Sequence, residues 1–314
     1  MTSYLARRLG HSLLVVIGVT IVVFILLHLL PGGPARAILG PRATAAAVAA
    51  FNHANGYDRP IVIQYAIWVG HLAQGNLGYS FKLNQSVASL IANRLPKTIV
   101  LVGLANLVAL VIAVPLGLLQ AARRNKPVDY AVTGGAFIFY SMPLFWLALL
   151  LVIVFSIDIP VFPPEAPQGN LLQVLEHPAG LVLPVASLAL ITVALFSRYM
   201  RSSAIDALTQ DYVRTARAKG ASEARLLRKH ILRNSLLPLI TLIGLTLPVV
   251  VSGALIVESV FNFPGMGLFF WNAAQTQDFP VLLGSTVVIG VATALGSLLA
   301  DLLYMIVDPR IRNA

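Results

Sequence analysis

TIVLVGLANLVALVIAVPLGLLQAA, residues 98–122, contains no Asp, Glu, Lys or Arg. About 20 mostly apolar residues cross a ~30 Å hydrocarbon core as one helix. Five more charge-free runs of this kind lie at 9–35, 130–157, 177–197, 234–257 and 279–300. So many long runs in 314 residues argue against buried soluble helices. Composition agrees: 58% of residues are apolar, 11% are charged, and mean hydropathy is +0.83. Soluble domains carry about 25% charged residues. Too few charges remain to cover a water-facing surface, which excludes a soluble enzyme, a nucleic-acid-binding domain and a disordered chain. Backbone groups in lipid must pair within their own segment, so each span is expected to be helical. The reading is an all-α polytopic membrane protein with spans at 10–30, 99–120, 131–155, 181–200, 236–257 and 280–304. Pro115, Pro143, Pro184 and Pro248 fall inside spans and are expected to bend them.

Basic residues near span ends set orientation. With the amino terminus inside, the inner segments hold Arg7 and Arg8, Arg123, Arg124 and Lys126, and Arg198 and Arg201. They also hold Arg214, Arg217, Lys219, Arg225, Arg228, Lys229 and Arg233, and finally Arg310 and Arg312. The other basic residues, Arg36, Arg42, Arg59, Lys82, Arg94 and Lys97, share one outer segment. The loops around 158–178 and 259–278 hold none. The net charge of +10 is therefore mostly a topology signal, and no basic, water-exposed domain for nucleic acid is present. Six spans place both termini in the cytoplasm. The first run could instead be a signal peptide cleaved near Ala35-Arg36-Ala37. Its apolar core, Leu13 to Leu30, exceeds the ~7–15 residues usual there, so the span is retained. The chain divides into 1–30 (amino-terminal tail and first span), an extracytoplasmic segment 31–97, and a five-span core 98–314 that contains the inner loop 201–235. The absence of cysteine excludes disulfides, thiolate metal sites and a Cys nucleophile.

The outer segment opens with Pro31-Gly32-Gly33-Pro34, a helix stop and turn. An alanine-rich helix is expected at 43–54, then a turn at Asn55-Gly56 and another over Gly75 to Ser80. Ile61, Tyr65 and Trp68 recur at helical spacing, predicting a short amphipathic helix over 60–73 with an aromatic edge at the bilayer surface. The segment either caps the external mouth or docks an external partner. The inner loop carries DYVRTARAKGASEARLLRKHILRN, residues 211–234. Gly220 suits a left-handed helix end, Ser222 the next N-cap, and Glu223 the positive end of that helix. Positive charge alone would not need this helix–Gly–helix form. The loop either lies on anionic lipid or docks a cytoplasmic protein.

Enzymatic signatures are missing. There is no G-x-x-x-x-G-K-[ST] phosphate loop, no H-E-x-x-H and no G-x-S-x-G. The histidines are scattered, and His28 is expected to pack or hydrogen-bond near the outer end of the first span. Asp301, beside Tyr304, is the one acid near a span interior, with either a structural or a functional role. No catalytic or metal-binding residues are assigned. Asn106, Ser141, Thr192, Thr246, Ser252 and Thr293 are polar positions within spans. Such groups either line a pore or hydrogen-bond between helices. No acid cluster is present to hold an ammonium group, and no ion-coupling site is visible.

At the inner loop the sequence resembles the dipeptide/oligopeptide ABC importer permeases. DYVRTARAKG (211–220), RKHILRN (228–234) and Leu237-Pro238 carry the resemblance. It continues at YLARR (4–8), at Tyr57 to Pro60 with Gln64, Tyr65 and Trp68, at Gly75 to Ser80, and at Arg94-Leu95-Pro96 with Thr98. Glu258 with Phe261, Pro264 to Gly267, Asp278 to Pro280, Asp301 to Tyr304 and Asp308 to Arg312 complete an ordered set over nearly the whole chain. The resemblance implies an ABC importer permease fold of type I, in the cytoplasmic (inner) membrane of a prokaryote. It implies one of two homologous permease subunits, served by two ATPase subunits and an extracytoplasmic substrate-binding protein. The chain itself would need no cofactor and would not be an enzyme; ATP and Mg would be bound by the ATPase partners. The coupling residues would be Arg214, Thr215, Ala216, Arg217, Ala218, Lys219, Gly220, Ala221, Ser222 and Glu223. The wider superfamily begins this loop Glu-Ala-Ala with Gly seventh; counting back from Gly220 gives Arg214-Thr215-Ala216, so only the second alanine is kept. Its Leu-Pro ending falls at Leu232-Arg233, with the nearest proline at Pro238. The implied substrate is a peptide; a nickel chelate, glutathione or haem would use the same fold. A membrane scaffold without transport is the remaining alternative, and it would not need the helix–Gly–helix loop.

Overall fold

Each charge-free run is largely helix in the computed structural model, which describes residues 2–29 and 33–307. The first span is α1 (Thr2–His28). The outer segment follows as α2 (Gly33–Leu39), α3 (Ala45–Asn55), α4 (Ile61–Ala73) and a small antiparallel pair, β1 (Tyr79–Ser80) and β2 (Gln85–Ser86). Next come α5 (Val87–Ala122), α6 (Pro127–Ser141), α7 (Leu144–Val152) continuing as a π-helical turn Ile153–Asp158, α8 (Leu171–Glu176) and α9 (Ala179–Leu208). The inner loop folds as α10 (Asp211–Ala218), α11 (Glu223–Arg225), a π-helical turn Leu226–Ile231 and α12 (Leu232–Ser235). The chain ends through α13 (Leu237–Ser252), α14 (Leu255–Val260), α15 (Met266–Thr276) and α16 (Phe279–Val307). Among the described residues five helices are long and apolar enough to span a bilayer, and the pair α6–α7 makes up to six.

That pair occupies the span expected over 131–155 and carries the bend expected at Pro143, sharpened into a break between two helices. The two halves meet at 101°. Pro143 has no N–H to continue the ladder, and it drives Met142 into extended backbone, φ −74° and ψ 131°. Pro96 and Pro115, by contrast, lie inside an unbroken α5, and Pro184 inside α9. Helix α5 begins well before residue 99, because Ser86 caps it by accepting from the Ser89 N–H. Its 36 residues reach roughly 54 Å, so its first turns stand outside the hydrocarbon. The fifth span ends at Ser252 rather than 257: Gly253 adopts φ +94°, and α14 restarts two residues later.

The expected helices at 43–54 and 60–73 are present, and Gly56, at φ +70°, closes the first. The aromatic edge of α4 faces α1 rather than lipid. Tyr65 and Trp68 lie 5.3 and 5.7 Å from the Phe24 ring, and the Tyr65 and Thr20 hydroxyls bond at 2.9 Å. His28 bonds Gln64 at 2.8 Å, the packing role expected of it. The exposed side of α4 carries Ile61, Val62 and Ile63 instead. The Pro31-Gly32 turn, the side chains of Asp301 and Tyr304, and the motif from Asp308 to Arg312 lie outside the described residues.

Helices α5 and α9 pack tightly; a Cβ on Gly117 would sit 2.5 Å from the Cβ of Met200. At the inner end of this pair, Ala121, Ala204 and Ala207 form a buried cluster with Val213, Leu226 and Ile231 of the inner loop. The membrane core and the loop are thus one packed body.

Candidate functional site

The inner loop is built around one apolar contact. Val213 is the single fully buried residue of α10 and packs on Leu226 and Ile231. Full burial of a valine contributes roughly 1.5–3 kcal/mol. With Val213 turned inward, Asp211, Tyr212, Arg214, Thr215, Arg217 and Ala218 are left exposed on α10. Ala216 and Ala221 are half-buried against the same cluster. Lys219, Gly220, Ser222 and Glu223 stand exposed at the turn. All ten coupling residues expected from the sequence therefore belong to one hairpin.

Gly220 adopts φ +81°, where a Cβ is disfavoured. Its N–H donates to the Arg217 carbonyl (3.0 Å), and the Ala221 N–H to the Ala216 carbonyl (3.2 Å), closing α10. A Cβ there would meet no atom of the chain within 4 Å. Ser222 holds the N-cap backbone position, but its side chain makes no capping bond. The link across the turn is instead an ion pair: Arg217 Nε and Nη2 donate to Glu223 Oε1 and Oε2 at 3.0 and 3.3 Å. Both side chains are at least half exposed, so the pair contributes about 0–1 kcal/mol. Asn234 Nδ2 donates to the Tyr212 hydroxyl at 2.8 Å and ties the returning helix to α10. Arg214, Lys219, Arg225, Arg228, Lys229 and Arg233 leave the hairpin strongly basic. Among the described residues no three His, Asp or Glu side chains converge as a metal site would require.

The hairpin is anchored to the bundle at its root. Arg201, near the end of α9, donates through Nε and Nη2 to the two Asp129 oxygens, both at 2.7 Å. Asp129 is 1% exposed and also accepts the Asn125 N–H at 3.0 Å. The bidentate pair fixes the start of α6 to the helix that leads into the hairpin.

At the opposite end, the buried Glu258 carboxylate gathers donors from several elements. It accepts from the Thr98 hydroxyl (3.0 Å), the Ala254 N–H (3.2 Å) and the Leu268 N–H (2.8 Å). Thr98 in turn accepts the Met266 N–H at 2.8 Å. Gly253, Gly265 and Gly267 allow this close wrapping; a Cβ on Gly267 would lie 2.8 Å from the Leu255 nitrogen. Burial pushes the Glu258 carboxyl above its usual range, against the pull of these donors. On the outer surface, the His53 bond to Asp58, 2.8 Å long, lowers that exposed carboxyl.

The six polar span positions are not brought together by direct bonds. Thr192, Thr246 and Thr293 donate to carbonyls of their own helices, at Leu188, Ile243 and Ile289, each at 2.8 Å. Asn106 Nδ2 donates to the Val102 carbonyl at 2.9 Å, and its Oδ1 has no partner among the described residues. Ser252 is half-buried at the end of α13, and Ser141 is exposed at the end of α6.

The profile of the binding-protein-dependent transport system inner membrane component matches residues 113–313, and its amino-terminal companion matches residues 1–102. The chain belongs to this permease family. The oligopeptide transport system permease protein AppB of Bacillus subtilis is 38% identical over 317 residues, with 99% of both chains covered. A protein of Brucella suis provisionally named a peptide permease is 42% identical over 324 residues, again with 99% of both covered. The dipeptide transport system permease protein DppB of Alkalihalophilus pseudofirmus is 34% identical over 332 residues, covering 99% of this chain and 100% of that one. A chain from the inward-facing MetNI methionine ABC transporter shares the fold, with a TM-score of 0.54 at 18% identity, covering 70% of this permease and 96% of that chain.

Two polar clusters of the permease escaped the sequence reading. By sequence Arg201 reads as a topology charge; the signal for its partner is Asp129, a lone acid bordering the run at 130–157. Glu258 entered only as part of the resemblance, although an acid directly after an apolar run and before Pro264-Gly265-Met266-Gly267 is a signal for a carboxylate wrapped by backbone N–H groups.

Proposed function

We propose that this permease is the membrane subunit of an ATP-driven importer of peptides in the inner membrane of a bacterium. Its basic hairpin around Gly220 would face the cytoplasm and seat in a cleft of a separate ATPase subunit. The observation that carries the reading is the hairpin itself: exposed and basic on one side, yet locked to the bundle through Val213 and the Arg201–Asp129 pair at its root. Chain-long similarity to permeases named for oligopeptides and dipeptides supports the substrate class. The clustering of basic residues in the segments around 123–126 and 198–233 supports the orientation.

A subunit without a phosphate loop must take up work through contact. A second homologous permease would complete the path, two ATPase subunits would bind ATP and Mg, and an external binding protein would deliver peptide. Nucleotide binding then shifts the inward–outward equilibrium only as far as it changes what the hairpin touches in the two states. Because the hairpin packs on Ala121, Ala204 and Ala207, a displacement of it carries α5 and α9 along. Of the six polar span positions, Ser141 is best placed to line the path: it is exposed at the α6–α7 break, and non-helical backbone at membrane depth is tolerated beside water or protein. Asn106, Thr192, Thr246, Ser252 and Thr293 would contribute polarity from within the bundle.

The test is uptake of labelled dipeptides, longer peptides and metal chelates into vesicles holding the complete complex, with its binding protein and ATP on the appropriate sides. Peptide accumulation that requires ATP is the expected result. Accumulation of the chelate alone would overturn the substrate class, and no ATP-dependent uptake of any of them would overturn the importer reading.

A further inference from the structure

Helices α5, α6 and α9 line a half-open pocket of about 240 Å³ in the half of the bundle nearer the hairpin. Gln120, Thr133, Phe137, Tyr140, Arg198 and Arg201 are among its walls. The two arginines differ. Arg201 commits two of its nitrogens to Asp129. Arg198 has no ion-pair partner among the described residues. Its guanidinium lies over the Tyr140 ring at 5.1 Å and near the Tyr199 ring at 5.8 Å. Tyr140 stands at the far end of α6, roughly 16 Å along the helix from Asp129. A long basic side chain near a span end ordinarily reaches for the interface. This one is held the other way, over an aromatic face, and an arginine so placed marks a water-filled or ligand-filled space.

A second group in the same cavity is unsatisfied. Gln120 is 2% exposed; its Nε2 donates to the Thr133 hydroxyl at 3.0 Å, and its Oε1 has no donor among the described residues. A buried acceptor left without a donor costs about 1–3 kcal/mol, so its persistence points to a partner that arrives from elsewhere. The cavity thus offers a cation, a hydrogen-bond acceptor and aromatic walls. The terminal residue of a peptide matches all three, with its carboxylate, its backbone N–H and its side chain.

An anionic lipid headgroup would also satisfy the cation. The adjoining break in the helix disfavours it. The last carbonyls of α6 and the extended Met142 lack helix partners, and Ser141 beside them is exposed. Hydrocarbon cannot cover such backbone, whereas water or another protein chain can. The cavity therefore adjoins backbone that lipid tails cannot cover.

We infer that Arg198, Gln120 and Tyr140 form a transit site for the free carboxyl end of a peptide on its way through the importer. This rests on the peptide-importer reading above. The test compares a peptide ending in a free carboxylate with the same peptide ending in an amide. Both are supplied on saturated binding protein to the complete reconstituted complex, and initial uptake rates are measured. The wild type should move the acid faster, and Arg198→Gln should lower acid uptake about tenfold more than amide uptake, as losing a charge-assisted bond implies. Arg198→Lys should restore most of the preference. Gln120→Glu, which adds a negative charge, should also bias uptake against the acid. An unchanged acid-to-amide ratio in both Arg198→Gln and Gln120→Glu overturns the site while leaving peptide import standing. A wild type that imports neither peptide overturns the importer reading and the site with it. The preference should persist in phosphatidylcholine vesicles; its loss there, with recovery on adding phosphatidylglycerol, assigns the cavity to lipid and overturns the proposal.

Discussion

Gly220→Asn separates backbone shape from surface shape at the hairpin turn. The native φ of +81° is left-handed, where alanine is strained by about 1–2 kcal/mol and asparagine is tolerated better. The added side chain meets no atom of the permease, since nothing lies within 4 Å of a Cβ there. The substitution should therefore cost the hairpin less than the ~1–2 kcal/mol expected of alanine, and Val213 with the Arg217–Glu223 pair should keep the turn in place. An ATPase surface seated against Gly220 would instead meet a new side chain, and overpacking of a close contact costs about 1–3 kcal/mol. That is roughly a five- to hundred-and-fifty-fold loss in coupling. The assay is substrate-stimulated ATP hydrolysis by the purified complex, alongside its melting temperature. Gly220→Asn should leave melting nearly unchanged and strongly reduce stimulation. Gly220→Arg, bulkier and charged, should abolish it. Full stimulation in the arginine variant, in a complex that still contains its ATPase subunits, would refute the close-contact argument.

Other substitutions probe what holds the hairpin and the outer loop. Asp129→Ala leaves Arg201 without its partner and should destabilise the permease by about 3 kcal/mol, at the low end for a buried pair because Arg201 is 29% exposed; adding Arg201→Met should recover part of the lost thermal stability. Gly117→Leu forces α5 away from Met200 and should cost about 1–3 kcal/mol, read as lower melting temperature and reduced assembled complex. Glu258→Ala strips an acceptor from the N–H groups of Ala254 and Leu268 at about 1–3 kcal/mol each, so limited proteolysis should cut the 253–278 region faster in the variant than in the wild type.

Span positions were readable because charge-free length is a one-dimensional property that lipid enforces. The hairpin was readable as well, since Gly220 marks a backbone state few other residues adopt; the burial of Val213 against Leu226 and Ile231 became visible only in the fold. A bend at Pro143 was readable, but the sequence did not distinguish this proline, which breaks its helix, from Pro115 and Pro184, which sit in unbroken ones. The pairings Asp129–Arg201 and Thr98–Glu258 join residues 72 and 160 positions apart, a distance over which local spacing carries no information. The aromatic edge of α4 was readable from spacing, but its partner was not: α1 offers Phe24 and Thr20, remote in sequence, to Tyr65 and Trp68.

The central claim, a permease gripped by an ATPase at the Gly220 hairpin, can be tested by cross-linking. The chain has no native cysteine, so Lys219→Cys introduces a single thiol at an exposed position beside the turn. In the complete assembly, a short bifunctional reagent should join it to an ATPase subunit, with a yield that changes when nucleotide binds. A thiol that labels only from the external side of sealed vesicles, or that never links to an ATPase subunit in an assembly that hydrolyses ATP, would contradict the account.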